Sequence, residues 1–231
     1  MATAHDTPPA GPLRRIGIVG DIHAQHARLA AALDHLERAG VDALFAVGDI
    51  VDGTGDVDGC CALLAERGAL AVRGNHDRWF LAGELRTLPY ATLEVAFATR
   101  AFLGALPATR TFATVRGELL LCHGIGRNDM ARLRPDDEGY ALASNTALHE
   151  LIDLGRFALV VNGHTHERMV RTVRGLTVIN AGTLHQDYAP GFVLADLAAG
   201  RVDFFDLAPD GAVSHARSVT LDEGTESSGA G

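Results

Sequence analysis

The chain contains no lysine: all 20 of its basic residues are arginine. That excludes a lysine nucleophile, a Schiff base and a Walker-type phosphate lysine. The 29 Asp and Glu residues outnumber the arginines and give a formal net charge of −9. A protein that works by neutralising phosphate backbones carries a basic surplus, so bulk nucleic-acid binding is not expected. Cysteine is scarce, and two of the three (Cys60, Cys61 and Cys122) are adjacent, so no disulfide framework is expected. No apolar run approaches the roughly 20 residues of a membrane span. The first residues show no positive segment followed by an apolar one, so no secretory signal is read there. These absences together fit a reducing, cytoplasmic compartment and no membrane partner. Aromatics are only 6%, so Leu, Val and Ala must fill most of the core.

What is present is globular: 231 residues, 47% hydrophobic and 21% charged. The pattern predicts one domain over 14–221, a loose arm over 1–13 and a Gly/Ser/Glu-rich tail over 222–231. Short β-rich apolar runs predict strands at Arg15–Gly20, Ala43–Val47 and Ala69–Val72. Helical spacing predicts helices at Ala24–Ala39 and near Gly59–Arg67 between them. This β-α-β-α-β order is that of a parallel sheet whose strand-end loops carry function. Helices are expected at Asp77–Ala82, Thr92–Leu106 and Leu142–Leu154. Further strands are expected at Arg110–Val115, Leu119–Cys122, Ala158–Val161, Arg168–Val173, Leu176–Ile179, Phe192–Asp196 and Val202–Asp206. The fold class expected is α/β, two packed mixed β-sheets flanked by helices, a four-layer α-β-β-α sandwich.

Polar clusters follow five of these strands: Gly20-Asp21-Ile22-His23, Gly48-Asp49-Ile50-Val51-Asp52, Gly74-Asn75-His76-Asp77, Cys122-His123-Gly124 and Gly163-His164-Thr165-His166. Each contains or abuts a glycine that lets the chain turn sharply. Asp, Asn and His without thiolate suit Mn, Fe or Zn rather than a thiolate-rich structural zinc site. There are too many donors for one tetrahedral ion. Two ions sharing a carboxylate would use them all.

The order GDIH, GDIVD, GNHD, CHG and GHTH resembles the calcineurin-like metallophosphoesterases over about Ile16 to Gly182. The GHTH ending and short chain are similar to the small bacterial and archaeal phosphodiesterases of that superfamily. The resemblance implies a binuclear centre of two divalent ions, manganese first, with Fe, Zn, Ni or Mg as alternatives. By the same resemblance Asp21, His23 and His166 match the ligands of one ion. Asn75, His123 and His164 match those of the other, and Asp49 the carboxylate shared by both. His76 matches the general acid near the leaving group, and Asp52 the carboxylate that orients it. The implied reaction is phosphoester hydrolysis by a metal-bridging hydroxide, on a small substrate, a phosphodiester in the first instance.

Departures and rivals shape the rest. Asp52 is followed by Gly53-Thr54-Gly55, where protein phosphatases and symmetrical dinucleoside tetraphosphate hydrolases carry an Arg-Gly pair. A phosphomonoesterase, a protein phosphatase or a dinucleoside polyphosphate hydrolase is therefore the alternative reading. A non-catalytic scaffold, like the retromer subunit of this fold, is the rival of another class. That subunit departs from the pattern at a catalytic histidine, whereas His76 is kept here. Arg78 and Arg127 are candidate phosphate-binding residues; for Arg78 a surface ion pair is the competing reading. The segment 124–139 is long enough to be a lid or a solvated loop. Asp77 reads as a helix-start residue. Cys122, one position before His123 on a strand, should point away from it. His26, His35, His149 and His185 read as structural or exposed, while Tyr188 and Pro190 are candidates to border the site, a point nothing in the sequence decides. Nothing in the sequence speaks to oligomeric state.

Overall fold

In a computed structural model, which describes residues 11–221, the chain begins with β1 (Arg15–Val19), α1 (His26–Arg38), β2 (Ala43–Ala46), α2 (Val57–Glu66) and β3 (Leu70–Ala71). Two further helices follow, α3 (Asn75–Ala82) and α4 (Phe97–Ala105). Then come β4 (Thr109–Thr114), β5 (Gly117–Cys122), α5 (Gly139–Ala143), α6 (Thr146–Leu154), β6 (Leu159–Asn162), β7 (Met169–Val173) and β8 (Leu176–Asn180). The last strands are β9 (Gly191–Asp196), β10 (Arg201–Leu207) and β11 (Val213–Thr220).

One sheet runs β11-β10-β9-β1-β2-β3, the other β4-β5-β6-β8-β7. Each sheet holds a parallel run: β1, β2 and β3 along one side of the first, β5, β6 and β8 in the middle of the second. Parallel neighbours point their carboxyl ends the same way, so the loops after them gather at one edge. Strand alternation builds the layers. On β5, Leu119 and Leu121 face the space between the sheets, where they meet Ile16, Ile18, Phe45 and Val161. Leu120 and Cys122 face the other way, onto Leu148 of α6. The outer face of the first sheet packs Leu44 and Ala46 against Leu29, Leu33 and Leu36 of α1 and Leu64 of α2. The architecture is the expected α-β-β-α sandwich.

Local chemistry moves several boundaries. The helix expected over 142–154 is split, because Asn145 caps α6 by accepting from the Leu148 amide at 3.2 Å. The helix expected from Thr92 starts only at Phe97, since Thr92 bonds to Asp52 instead. β11 was not expected at all. It is an edge strand with mostly exposed residues and so lacks an apolar alternation. Leu13, the last residue of the expected arm, is buried, and its amide donates to Ala113 O at 2.9 Å. The remainder of that arm up to residue 10, and the tail over 222–231, lie outside the described residues. Among the described residues no helix is long and apolar enough to cross a membrane.

Candidate active site

The five motif loops converge at the carboxyl edge of both sheets. Asp21 and His23 follow β1, Asp49 and Asp52 follow β2, and Asn75 and His76 open α3 after β3. His123 follows β5, and His164 and His166 follow β6. Six of these residues hold left-handed backbone: Asp21 (φ 45°), His23 (46°), Asp49 (50°), Asp52 (62°), His164 (70°) and His166 (61°). Non-glycine residues avoid this region, at a cost of order 1–3 kcal/mol each, and their clustering marks a functional site rather than ordinary turns. Two glycines complete the convergence. A Cβ on Gly74 would lie 2.1 Å from Asp49 Oδ1, and one on Gly163 would lie 2.3 Å from Asp21 Oδ2.

Hydrogen bonds aim the donors. His23 Nδ1 donates to Asp52 O at 2.8 Å and His123 Nδ1 donates to Val47 O at 2.7 Å. A carbonyl can only accept, so each ring carries its proton on Nδ1 and offers a lone pair at Nε2. His23 Nε2 lies 3.3 Å from His166 Nε2, which lies 3.4 Å from Asp21 Oδ1. On the other side His123 Nε2 is 2.8 Å from Asn75 Oδ1 and 3.2 Å from Asp49 Oδ2, and His164 Nδ1 is 3.0 Å from Asn75 Oδ1. Ligands bonded at about 2.0–2.2 Å to one ion stand roughly 3.0–3.5 Å apart. The two donor sets match that spacing. Asp21, His23 and His166 form one compact group; Asp49 joins His123 and Asp21 in a second and His23 and His76 in a third. The donor set thus fits metal ions, with Asp49 between the two sides.

Charge ties the two sides together at Asp49. Burial pushes the Asp49 carboxyl up, but His123 beside it overrules that and holds the group far below the usual carboxylate range. For His123 burial pulls down and Asp49 lifts more strongly, to about 10. Burial lowers both His23 and His164 below the ordinary imidazole value, which favours neutral rings with lone pairs.

Asp52 and His76 stand beside the donors. His76 Nδ1 donates to Asp52 Oδ2 at 2.7 Å, and the His76 amide donates to Asp49 Oδ1 at 2.8 Å. Burial lowers His76, but its bond to Asp52 and the charge of Asp49 hold its pKa above the usual value. Asp52 is itself gripped by Arg86, whose Nη1 and Nη2 reach Oδ1 and Oδ2 at 2.7 and 3.1 Å, and by the Thr92 amide at 2.8 Å. These bonds outweigh burial and keep Asp52 below the usual carboxylate range.

A comparison with family profiles matches residues 15–200 to the Calcineurin-like phosphoesterase superfamily domain. The chain belongs to the calcineurin-like phosphoesterase superfamily. Its curated relatives match over 69 residues only, so the chain spans about a third of their length. One is serine/threonine-protein phosphatase 1 of Salmonella typhimurium, 41% identical over 29% of this chain and 32% of that protein. Solved superfamily structures cover much more. A metallophosphoesterase from Sphaerobacter thermophilus superposes with a TM-score of 0.62 at 22% identity, over 86% of this chain and 89% of that one. A putative diadenosine tetraphosphatase gives 0.55 at 25% identity, over 91% and 95%.

Around this superfamily site, the other residues singled out from the sequence are placed as follows. Arg78 is engaged by Asp129, Nε to Oδ2 at 2.6 Å and Nη2 to Oδ1 at 3.1 Å, as in the ion-pair reading. Arg127 is exposed on a separate cleft beside Glu150 and Arg156, away from the metal donors. The segment 124–139 is tied down: Leu133 is buried, and Arg171 donates to Arg134 O at 2.8 Å and to Pro135 O. Asp77 accepts from the Gly74 amide at 2.9 Å, a helix-start role, and also from the Ile50 amide at 2.9 Å, which joins two ligand loops. Burial and the Asp49 charge push it up to about 6. Cys122 is buried in the outer cluster, facing away from the donors, and burial pushes its thiol up to about 12.

His185 is not remote: its ring centroid lies 5.1 Å from that of His23, and it lines the same cleft as Tyr188, while Pro190 does not. Arg86 and Thr92 lie in no motif and had no signal in the sequence. The fully buried Asn162 and Asn180 were also missed. They end β6 and β8 and donate to Gly124 O (2.9 Å) and Gly163 O (2.7 Å), bracing two ligand loops. A polar residue closing an apolar strand just before a motif was the available cue for Asn162.

Proposed function

We propose that the chain is a metal-dependent phosphoesterase that hydrolyses a phosphodiester at this edge, using two divalent ions. The observation that carries the reading is the pair of lone-pair donor sets meeting at Asp49. Asp21, His23 and His166 would hold one ion, Asn75, His123 and His164 the other, and Asp49 both. Bound there, divalent ions supply charge to stabilise a phosphoryl group and lower the pKa of water. The chain's own residues supply the proton. A carboxylate only accepts, so the bond to Asp52 fixes the His76 proton at Nδ1. The protonated ring then has a second proton at Nε2 to give to the leaving oxygen. The His76 side chain is one-quarter exposed and open to substrate, whereas Asp52 is 3% exposed and acts through His76. Asp52 is therefore a positioning residue.

Charge supports a diester. The cleft of about 440 Å³ over His23, His76 and His166 has no arginine in its lining, and Arg86 is already spent on Asp52. A diester brings one negative charge, a monoester close to two. The likeness to a putative diadenosine tetraphosphatase favours a second reading, dinucleoside polyphosphate hydrolysis. That substrate would carry further phosphates into a cleft whose lining includes the carboxylates Asp52 and Asp187. The presence of His76 and all seven donors argues for an enzyme over a scaffold. Arg78 and Arg127 have no substrate role in this reading.

The test is metal-stripped protein reconstituted with Mn first, then Fe, Zn, Ni and Mg, against a diester, a monoester and a dinucleoside tetraphosphate. Diester turnover should be fastest, with two ions per chain. Faster monoester or tetraphosphate turnover would overturn the substrate class, and no turnover with any ion would overturn the enzyme.

A further inference from the structure

The chain has three tyrosines, and two of them line the cleft over His76. Tyr90 and Tyr188 are 56% and 57% exposed, although the chain is poor in aromatic residues. Each is carried by a loop tied to the site itself. Tyr90 lies two residues before Thr92, whose amide and hydroxyl both bond to Asp52, and four after Arg86, which grips the same carboxylate. Its own backbone is left-handed (φ 60°), a conformation that costs free energy for a bulky residue. On the other loop the Tyr188 amide donates to His185 O at 3.2 Å, and the His185 amide to Thr183 Oγ1 at 2.9 Å. Thr183 Oγ1 in turn donates to Asp21 O at 2.8 Å.

The rings between these anchors form a row. His76 and His23 have centroids 5.0 Å apart, His23 and His166 5.1 Å, and Tyr188 stands edge-on to His166 at 4.5 Å. Tyr90 shares the lining of this cleft with Asp52 and His76, on the loop that grips Asp52, and Tyr188 stands against His166. The lip adds Asp187, whose carboxylate lies 3.9 Å from His185 and is mostly exposed. With no arginine in the lining, this lip disfavours an anionic group and leaves two aromatic faces for a flat neutral one.

We propose that Tyr90 and Tyr188 clamp the leaving group, so that the ester turned over releases a neutral alcohol bearing a planar ring, a nucleoside or an aryl group. This rests on the phosphoesterase reading above, because it places the ring next to the proton donor His76. Ring stacking against aromatic side chains then discriminates by shape, independently of how easily the alcohol departs.

The experiment compares methyl phosphodiesters whose second alcohol is primary in every case, so that leaving ability is matched: benzyl, cyclohexylmethyl and adenosine 5′-methyl phosphate. Released alcohol identifies the bond cleaved. Benzyl alcohol should be released with kcat/KM about tenfold above cyclohexylmethanol, mainly through KM. Tyr90→Leu and Tyr188→Leu should each shrink that ratio severalfold, and Tyr90→Phe should keep it. Adenosine release faster than benzyl alcohol release would assign a nucleoside, the reverse an aryl group. Equal benzyl and cyclohexylmethyl rates, or a ratio that survives both leucine substitutions, would overturn the clamp. A binding arm separates this failure from failure of the phosphoesterase reading. Benzylphosphonate, which is not hydrolysed, should bind about tenfold tighter than cyclohexylmethylphosphonate by calorimetry, and that difference should vanish in the leucine variants. No turnover on any diester with that binding difference intact would sink the catalytic reading alone; equal binding of the two phosphonates would sink the clamp.

Discussion

The loops after β1, β2 and β3 bring Asp21, His23, Asp49 and Asn75 to the candidate metal site, whereas those after β5 and β6 bring His123, His164 and His166. The first sheet thus provides the carboxylates as well as Asp52 and His76. The second provides imidazoles alone. The two halves are also braced differently. Asp77 ties the Asp49 loop to the Asn75 loop within the first half, while in the second the buried Asn162 and Asn180 hold loop carbonyls. Neutral imidazoles add affinity and direction to an ion but no counter-charge. Asp49 bonds across the divide, to the His76 amide on its own side and to His123 on the other. The first sheet should therefore decide whether ions are held at all, and the second how many.

The most damaging change expected is Asp49→Ala. It removes the charge assigned to both ions, and metal content should fall from two per chain toward none. Turnover should fall more than about 100-fold, beyond what loss of an outer hydrogen bond costs. His123→Ala should be milder, leaving one ion with Asp21, His23 and His166. Metal analysis of both variants checks the pair. Two ions retained in Asp49→Ala, or none in His123→Ala, would break the division of labour between the sheets.

Next comes His76→Ala, which belongs to the first half yet holds no ion in this reading. Both metals should stay. Esters with alkoxide leaving groups should slow by about 10²-fold or more, while nitrophenyl esters, which depart without a proton, should lose little. An equal loss on both at unchanged metal content would remove His76 from the leaving oxygen.

The same half predicts a pH effect. A general acid works only while protonated, so the rate falls as pH rises past its pKa. Burial lowers the His76 pKa, and Asp52 together with Asp49 raises it more, so the wild-type alkaline limb lies higher than an unpaired imidazole would place it. Cations in the site would push the ring down further, which makes the Asp52 charge matter more. Asp52→Asn removes that charge, and the alkaline limb for unactivated esters should move to lower pH. Rates well below the limb should change least. A limb that stays in place would separate Asp52 from proton delivery.

The sequence disclosed the site more fully than it disclosed what holds the site. Strand period with glycine punctuation was enough to find the five polar clusters, and the resemblance to the superfamily picked Asp21, His23, Asp49, Asn75, His123, His164 and His166 out of them. The parallel run of β1, β2 and β3 was legible from the alternation of strands and helices. Arg86 and Thr92 were not, because their links to Asp52 span 34 and 40 residues and depend on the path of an irregular loop. His185 was missed because its neighbours Gln186 and Asp187 form no motif; bonds from Thr183 and Leu184 to Asp21 O bring it in. β11 shows the limit of periodicity. An edge strand with little burial has no alternation to read.

The smallest effect expected is that of Arg78→Ala, and it tests where the first half of the site ends. Arg78 sits on α3 only two residues from His76, so sequence proximity alone would make it a phosphate anchor. Its guanidinium instead makes a bidentate pair with Asp129 of the 124–139 segment, with Glu84 a further 3.8 Å neighbour. The pair is partly exposed, 39% for Arg78 and 24% for Asp129, and such pairs contribute about 0–1 kcal/mol. Asp129 would keep water contact after the substitution, so no buried charge is stranded. Thermal unfolding should shift by a few degrees at most, more at low salt than at high, because screening already weakens the pair. Diester kcat/KM should stay within about twofold of wild type, since no substrate charge is met by an arginine already bound on both edges. A loss of tenfold or more, concentrated in KM, would mean that Arg78 leaves Asp129 for substrate, and the 124–139 segment would then have to be counted as part of the site.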